Sequence, residues 1–251
     1  MIRLEAICKT FHGSFGGETV ALDKITIDLA PGEYTVLIGV NGCGKSSLLQ
    51  VIAGSMLPDS GRIWMNEQDV TRTTEHRRSH SIARLFQNPL LGTAPALSIL
   101  ENFRLAALRS KNKGLRIGID HAFREKVAMQ ISRLGMGLEN RLDLPMAALS
   151  GGQRQALTLL MGTMDECSII LMDEPASALD PRSAELVMNL ADEIIRERNL
   201  TALLVTHQLE DCVHYGNRVI QMEGGRIIRE AKGDKKKNLT VDTLRSWFSE
   251  R

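Results

Sequence analysis

One eight-residue segment has the composition and spacing of a loop that binds nucleotide phosphates. Residues 39–46 match the pattern G-x-x-x-x-G-K-[ST] at every fixed position. The glycines let the backbone wrap closely enough to aim successive N–H groups at phosphate oxygens. Lys45 would reach the β- and γ-phosphates, and the Ser46 hydroxyl would hold Mg²⁺. The predicted phosphate-binding residues are Gly39, Val40, Asn41, Gly42, Cys43, Gly44, Lys45, Ser46 and Ser47.

Two adjacent carboxylates follow an apolar run later in the chain. Residues 168–172 read as a buried strand, and Asp173 and Glu174 come directly after it. A carboxylate at the end of such a strand can reach Mg²⁺, so Asp173 is predicted to serve the metal. Glu174 is predicted to polarise an attacking water as a general base. An apolar run that ends in two acids is a weak signal alone, but the phosphate loop strengthens it.

A second anion-binding helix start is predicted at Ser150. A serine and two glycines, Gly151 and Gly152, open a helical segment, and Gln153 follows them. Helix N-termini attract anions through their free N–H groups and the helix dipole. One bound nucleotide has no evident need for two such sites from a single chain.

With these motifs the chain resembles the nucleotide-binding subunit of ABC transporters, over nearly its whole length. The family's glutamine loop matches Gln87, its signature matches 149–153, and its switch histidine matches His207. The adenine-stacking aromatic matches Phe11, and the loop after the strand-end acids matches 177–180. All of them occur in the family's order. The match predicts an ATP-hydrolysing enzyme with ATP and Mg²⁺ as its ligands.

The resemblance implies a head-to-tail dimer of two copies. Each ATP would lie between one copy's phosphate loop and the signature of the other, with Asp180 also at the nucleotide. Splitting the site in this way makes closure a precondition for hydrolysis. The implied roles are γ-phosphate contact for Ser150, Gly151 and Gly152, rim contacts for Gln153, catalysis by Glu174, His207 and Gln87, and metal binding by Ser46, Gln87 and Asp173.

Two residues depart from the family's usual phosphate loop. Val40 and Cys43 stand where proline and serine are commoner, and neither change removes a needed backbone N–H. We expect the Cys43 thiol to lie beside the phosphates. Its oxidation or alkylation would then block ATP binding because any adduct is bulky.

These motifs require a scaffold of buried strands and helices. Apolar runs at 34–38, 168–172 and 201–205 predict central strands, 25–29 alternates as a half-buried strand, and 61–66 reads as an edge strand. Helical patterns at 46–53 and 185–198 alternate with the strands. The predicted fold is α/β: a P-loop NTPase core with a mostly parallel sheet, an N-terminal antiparallel β subdomain and an inserted α-helical subdomain.

We expect one ABC ATPase domain over residues 1–240, with the helical subdomain at about 89–166. A polar interruption at 109–118 reads as a solvated loop between helices. A short C-terminal helix is expected over 241–251, capped by Thr240. The segment 226–251 contains eight Lys or Arg and four Asp or Glu residues. Two interpretations stay open for it: the helix packs on the body, or 235–237 contacts anionic lipid.

Composition and charge exclude several classes of protein. Lys and Arg number 31 and Asp and Glu 30, so the formal net charge is +1. That balance, with only 4% aromatic residues, argues against a nucleic-acid partner. No apolar run is long enough to span a bilayer, and no signal peptide is visible. The four scattered cysteines give no zinc or disulfide framework, and a reducing cytosol is expected. Five of the histidines, at positions 12, 76, 80, 121 and 214, are expected on the surface.

The segment 87–102 resembles a bacterial import group, some of whose members are assigned to tryptophan or tyrosine uptake. This resemblance implies integral-membrane permease subunits, a periplasmic or lipid-anchored solute-binding protein, and a location on the cytoplasmic face of the cell membrane. Residues 90–94 would contact the permease; alternatively they fill the core of the helical lobe. An export or lipoprotein-release ATPase and a soluble non-transport ATPase remain as alternatives.

Overall fold

The computed structural model describes residues 1–13, 17–109, 118–165 and 167–249. Most of the predicted polar loop at 109–118 lies outside these ranges. So do Glu166, the predicted end of the helical subdomain, and the last two residues of the predicted C-terminal helix.

An antiparallel sheet of four strands, ordered β2-β1-β4-β5, forms one layer. Its strands are β1 (Ile2–His12), β2 (Glu18–Leu29), β4 (Ser60–Met65) and β5 (Gln68–Asp69). The prediction of an edge strand at 61–66 is wrong in its pairing. β4 lies between β1 and the two-residue β5, because Trp64 and Met65 pair with strands on both sides.

The second sheet has six strands in the order β10-β9-β3-β8-β7-β6. Its strands are β3 (Tyr34–Gly39), β6 (Ile82–Leu85), β7 (Ile169–Asp173), β8 (Thr201–Val205), β9 (Arg218–Glu223) and β10 (Arg226–Lys232). All pairs are parallel except that between β9 and β10. The three predicted central strands and the mostly parallel α/β fold are therefore confirmed.

Nine α-helices connect and cover these sheets within the described ranges. They are α1 (Lys45–Ala53), α2 (Glu75–Arg78), α3 (Ile99–Ala107), α4 (His121–Ser132), α5 (Gly151–Gly162), α6 (Pro181–Glu197), α7 (Leu209–His214), α8 (Asp234–Lys237) and α9 (Val241–Ser249). The helices α3, α4 and α5 follow one another between β6 and β7, as the helical pattern of this stretch predicted. In the described parts of the chain, no helix is both long and apolar enough to cross a membrane.

The parallel sheet separates two apolar cores. Alternate residues of its strands face opposite sides, so that Val36 and Ile38 join one core and Leu37 joins the other. The first core packs the sheet against α3, α4, α5 and α6. The second packs it against α1 and the antiparallel sheet. Packing on both faces fixes the carboxyl ends of the parallel strands relative to one another.

The C-terminal helix α9 packs on the body of the protein. The hydroxyl of Thr240 accepts a hydrogen bond from the Thr243 N–H at 3.2 Å, which caps the helix, and Leu244 is fully buried against the first core. The Lys236 ammonium donates to the Val213 carbonyl oxygen at 2.9 Å and is itself buried. The helix therefore packs on the body, whereas Lys235 and Lys237 are exposed, so a contact of 235–237 with anionic lipid stays a prediction.

Candidate functional site

The predicted catalytic residues meet at one edge of the parallel sheet. The phosphate loop follows β3, Gln87 follows β6, Glu174 follows β7 and His207 follows β8. Parallel strands end at the same edge, where ligands of open α/β sheets bind. The topology therefore brings together residues that lie up to 168 positions apart, from Gly39 to His207.

The phosphate loop leaves the start of α1 open to an anion. Its N-cap residue, Gly44, has a φ of 104° and offers no side chain to the helix N–H groups. A Cβ there would lie 2.0 Å from the Ala21 carbonyl oxygen, so this position requires glycine. The Lys45 ammonium donates to the carbonyl oxygens of Gly39 and Val40 at 2.8 and 3.0 Å. Free N–H groups and a cation held within the loop suit a polyphosphate.

Oxygen ligands suited to Mg²⁺ lie beside this loop. The Ser46 hydroxyl donates to Asp173 Oδ1 at 3.0 Å. Burial raises the pKa of the Asp173 carboxyl, and the nearby charge of Glu174 adds to the effect. The described residues contain no cluster of three side chains that would hold a metal by themselves. The pair fits Mg²⁺, which usually takes one or two protein oxygens together with phosphates and water.

Glu174 lies at the centre of the three predicted catalytic side chains. Its carboxylate contacts His207 Nε2 through one oxygen, and the other accepts a hydrogen bond from Gln87 Nε2 at 3.4 Å. Its backbone has a φ of 47°, and its N–H donates to the Val205 carbonyl oxygen at 3.0 Å. A non-glycine residue held in this region costs energy and is common at functional sites. The bond to β8 therefore fixes where the carboxylate points.

These side chains line one cleft of about 470 Å³. Its walls are formed by Phe11, Thr19, Ala21, Asn41, Gly42, Gly44, Lys45, Ser46, Ser47, Gln87, Glu174 and His207. Sequence reasoning missed Thr19 and Ala21. Thr19 pairs with Phe11 between β1 and β2, and this pairing, which the sequence does not specify, brings it to the cleft. Gly39, Val40, Cys43 and Asp173 are not among the lining residues.

The Cys43 thiol is buried next to the phosphate loop, so its place beside the phosphates stays a prediction. The side chain is only 4% exposed and belongs to the core between the two sheets. Its sulfur lies 3.9 Å from Lys45 Nζ, and burial raises the pKa of the thiol. The sulfur therefore lies against the lysine that would hold the phosphates, but it is not exposed to the cleft.

The predicted signature forms a separate, exposed helix start. Ser150 caps α5: its hydroxyl accepts from the Gln153 N–H at 3.2 Å, and the Gln153 side chain accepts from the Ser150 N–H at 3.0 Å. A Cβ on Gly152 would lie 2.5 Å from the Ser183 side chain, on the helix that Asp180 caps. None of the signature residues or Asp180 is among the residues that line the cleft in the described chain.

The fold and the phosphate loop at its strand edge define the class of P-loop nucleoside-triphosphate hydrolases. The family model "ABC transporter" matches residues 22–177, and the chain belongs to this family of ATP-binding cassettes, ATPases coupled to transport. Residues 22–177 include the phosphate loop, the glutamine loop, the signature and the strand-end acids.

Curated relatives and solved structures agree with this assignment. The chain is 35% identical over 251 residues to a tyrosine transport ATP-binding protein of Clostridioides difficile, covering 99% of this chain and 98% of the relative. It is 35% identical to a phosphonates import ATP-binding protein of Frankia casuarinae, covering 93% and 91%. The structure resembles the dimeric bacterial ABC transporter cassette MJ0796, with a TM-score of 0.79 and 26% identity over 92% of this chain and 98% of that one.

Proposed function

We propose that this chain is the ATP-hydrolysing subunit of an import system for an amino acid or a similar small solute. The main observation behind the proposal is that Glu174, His207 and Gln87 line one cleft together with an intact phosphate loop. The similarity to a tyrosine transport ATP-binding protein over 99% of the chain supports the solute class. Phosphonate, sulfate and thiamine import proteins among the relatives support the direction of transport.

The cleft residues have different roles in ATP binding and hydrolysis. Phe11 stacks on the adenine, and the loop N–H groups with Lys45 hold the phosphates. Ser46, Asp173 and Gln87 would hold Mg²⁺, which neutralises phosphate charge when bound. Glu174 takes a proton from the attacking water as its oxygen bonds to the γ-phosphorus, and the bond to the β–γ bridging oxygen breaks. His207, already against Glu174, steadies the water and the γ-phosphate.

The exposed signature supports a head-to-tail dimer. Ser150 and Gly151 are exposed at the start of α5, away from the chain's own cleft. A second copy would bring its own phosphate loop to this helix start, so that Ser150, Gly151, Gly152 and Asp180 contact the partner's ATP. The Gln153 N–H already donates to the Ser150 hydroxyl at 3.2 Å, which orients that hydroxyl.

An apolar groove beside the glutamine loop is the proposed permease contact. It has a volume of about 820 Å³ and runs between α2 and the helices α3 and α5, with Phe86 and Gly92 among its lining residues. Leu90 and Leu91 near it are 47% and 52% exposed, so they do not fill the core of the helical lobe. In this proposal the permease subunits hold the chain at the cytoplasmic face of the membrane, and a periplasmic or lipid-anchored binding protein delivers the solute. No nucleic acid takes part.

Purification from solubilised membranes tests this function. A tagged full-length chain should copurify with integral-membrane subunits and a solute-binding protein, and should release inorganic phosphate from ATP when Mg²⁺ is present. The variant Leu105→Glu places a charge on an exposed groove residue and should lose the membrane subunits while it retains ATP binding. A native chain that neither releases phosphate nor copurifies with membrane proteins would contradict the proposal.

A further inference from the structure

Gln155 is a buried amide that the roles above do not use. It lies in α5, five residues after Ser150, and is 1% exposed. Its Nε2 donates two hydrogen bonds, to the Phe86 carbonyl oxygen at 2.7 Å and to the Pro175 carbonyl oxygen at 3.0 Å. The Gln155 Oε1 is buried without a hydrogen-bond partner among the described residues, so the two bonds from Nε2 are the polar contacts that hold the amide in place.

The two acceptors lie next to the proposed catalytic residues. Phe86 directly precedes Gln87, and Pro175 directly follows Glu174. One planar amide therefore holds the backbones of both catalytic loops at fixed positions relative to α5. A displacement of α5 must therefore move both loops with it or break a buried hydrogen bond.

The same helix begins at the signature. Ser150, Gly151 and Gly152 form its N-terminus, and Gln155 lies about one turn further along. In the proposed dimer this N-terminus contacts the nucleotide of the other copy. The rigid first turns of α5 thus connect a contact with the partner's nucleotide to the residues that act on the chain's own nucleotide.

We propose that Gln155 is a positioning residue that couples the two nucleotide sites of the dimer. When the partner's nucleotide contacts the signature, it fixes the position of α5. The Gln155 amide then positions Gln87 and Glu174 for hydrolysis of the chain's own ATP. The inference rests on the proposed function, since only the dimer gives the signature a nucleotide to contact.

The test compares Gln155→Met with a matched control at Thr163, which directly follows α5. Methionine keeps the length and volume of the side chain but removes both donors. The control is Thr163→Val: Thr163 is also 1% exposed and its hydroxyl donates to the Leu159 carbonyl oxygen at 2.8 Å, near the other end of α5. A second variant, Gln155→Glu, keeps the shape of the amide side chain. Thermal melting compares the folding of both Gln155 variants with that of the control.

Steady-state hydrolysis and nucleotide binding are measured for each full-length chain. Misplaced catalytic groups lower kcat, so we expect Gln155→Met to lose about 10- to 100-fold in kcat. The dissociation constant of ATP from the monomer should change less than about twofold, because the phosphate loop is untouched. The Hill coefficient for ATP should fall towards about 1 from a native value nearer to 2, since the two sites no longer communicate. Thr163→Val should retain the native kcat and Hill coefficient.

The outcomes separate this inference from the proposed function. Native kcat and Hill coefficient in a folded Gln155→Met or Gln155→Glu chain would overturn the role of Gln155 and leave the proposed function standing. Equal losses in Thr163→Val would also overturn it, because they would reflect the stability of α5 alone. A native chain that does not bind or hydrolyse ATP would instead overturn the proposed function and the coupling with it.

Discussion

Glu174 illustrates how single residues acquire their chemistry here. Its carboxylate lies between His207 and Gln87, and its backbone is held in the left-handed region by a bond to β8. Asp173, its neighbour, points instead to the Ser46 hydroxyl. Two adjacent acids therefore face different partners, which supports a metal role for one and a base role for the other.

Replacing the proposed base should separate binding from hydrolysis. Glu174→Gln keeps the shape of the side chain but cannot accept a proton, so phosphate release should fall by about 10²- to 10⁴-fold. ATP binding should persist, because the phosphate loop is unchanged, and the nucleotide-bound dimer should accumulate on size-exclusion chromatography. Lys45→Ala is the matched contrast, since it should lose binding itself. A Glu174→Gln chain that hydrolyses at the native rate would show that another group is the base.

The burial of Cys43 changes the expected response to thiol reagents. Burial raises the pKa of Cys43 and raises that of Cys212 to about 12, so at neutral pH few of these thiols are ionised. The half-buried Cys8 should therefore be alkylated at least about tenfold faster than either, as followed by mass spectrometry of peptides. A chain labelled at Cys8 alone should still bind ATP. Labelling of Cys43 ahead of Cys8 would contradict the observed burial.

The contact between α5 and α6 fixes the position of the signature. Gly152 packs so closely on Ser183 that no Cβ fits between them without movement. Gly151 lies close to the Leu179 side chain, since a Cβ on this glycine would be 3.3 Å from the nearest leucine methyl carbon. The loop that ends at Asp180 and the signature therefore form one surface, held by backbone proximity.

A side chain larger than glycine at position 152 should destabilise the chain, and a smaller residue at position 183 should restore its stability. Gly152→Ala places a Cβ 2.5 Å from the Ser183 side chain and should lower the free energy of unfolding by about 1 to 3 kcal/mol. Adding Ser183→Gly removes the clashing atoms, so the double variant should recover most of the loss, as urea unfolding of all four chains would reveal. Gly162→Ala, at the other end of α5 with 3.4 Å to its nearest neighbour, is the control and should be neutral or stabilising. Additive losses in the double variant would rule out the direct clash.

Sequence reasoning succeeded where the signal is local. Each predicted central strand is a short apolar run, and each lies within one sheet, because burial on both faces demands continuous apolar residues. It failed where the position of a residue depends on which strands pair and in which register. The alternation at 61–66 reveals a half-buried strand but not its neighbours, and Thr19 reaches the cleft only through its pairing with Phe11.

The direction in which a side chain points from a turn could not be predicted from the sequence either. Cys43 and Asn41 both belong to the phosphate loop, yet the thiol enters the core and Asn41 lines the cleft. The direction depends on the backbone angles of a glycine-rich turn, which composition does not specify. The double hydrogen bond of Gln155 was missed for a related reason, since its acceptors are backbone carbonyls of distant loops.

An ion network centred on the buried Glu33 and Arg218 joins the two sheets. Glu33, which directly precedes β3 and is 4% exposed, accepts from Arg218 of β9 at 2.7 Å and from Lys232 of β10. Arg218 also donates to the Asp28 carbonyl oxygen of β2 at 2.6 Å. The strand that carries the phosphate loop is thereby tied to the antiparallel sheet that carries Phe11.

This network should make stability depend on pH in a defined direction. Burial opposes ionisation of Glu33, but hydrogen bonds from Lys232 and Arg218 outweigh it and hold the pKa below its ordinary value of 4.5. A lowered pKa gives stability that is present above about pH 4.5 and is lost as the pH falls through the folded-state value. Glu33→Gln should therefore lower the free energy of unfolding by about 1 to 3 kcal/mol at neutral pH, since Arg218 loses its buried partner and keeps only the more exposed Glu230 at 3.0 Å.

The difference between the native chain and Glu33→Gln should then shrink as the pH is lowered below about 4.5, because the native carboxyl becomes protonated as well. Urea unfolding at a series of pH values measures it. Glu185→Gln, an exposed carboxylate on α6, is the matched control and should stay within about 0.5 kcal/mol of the native chain throughout. A Glu33→Gln loss that does not diminish in acid would mean that side-chain packing, and not the charge of Glu33, holds the sheets together here.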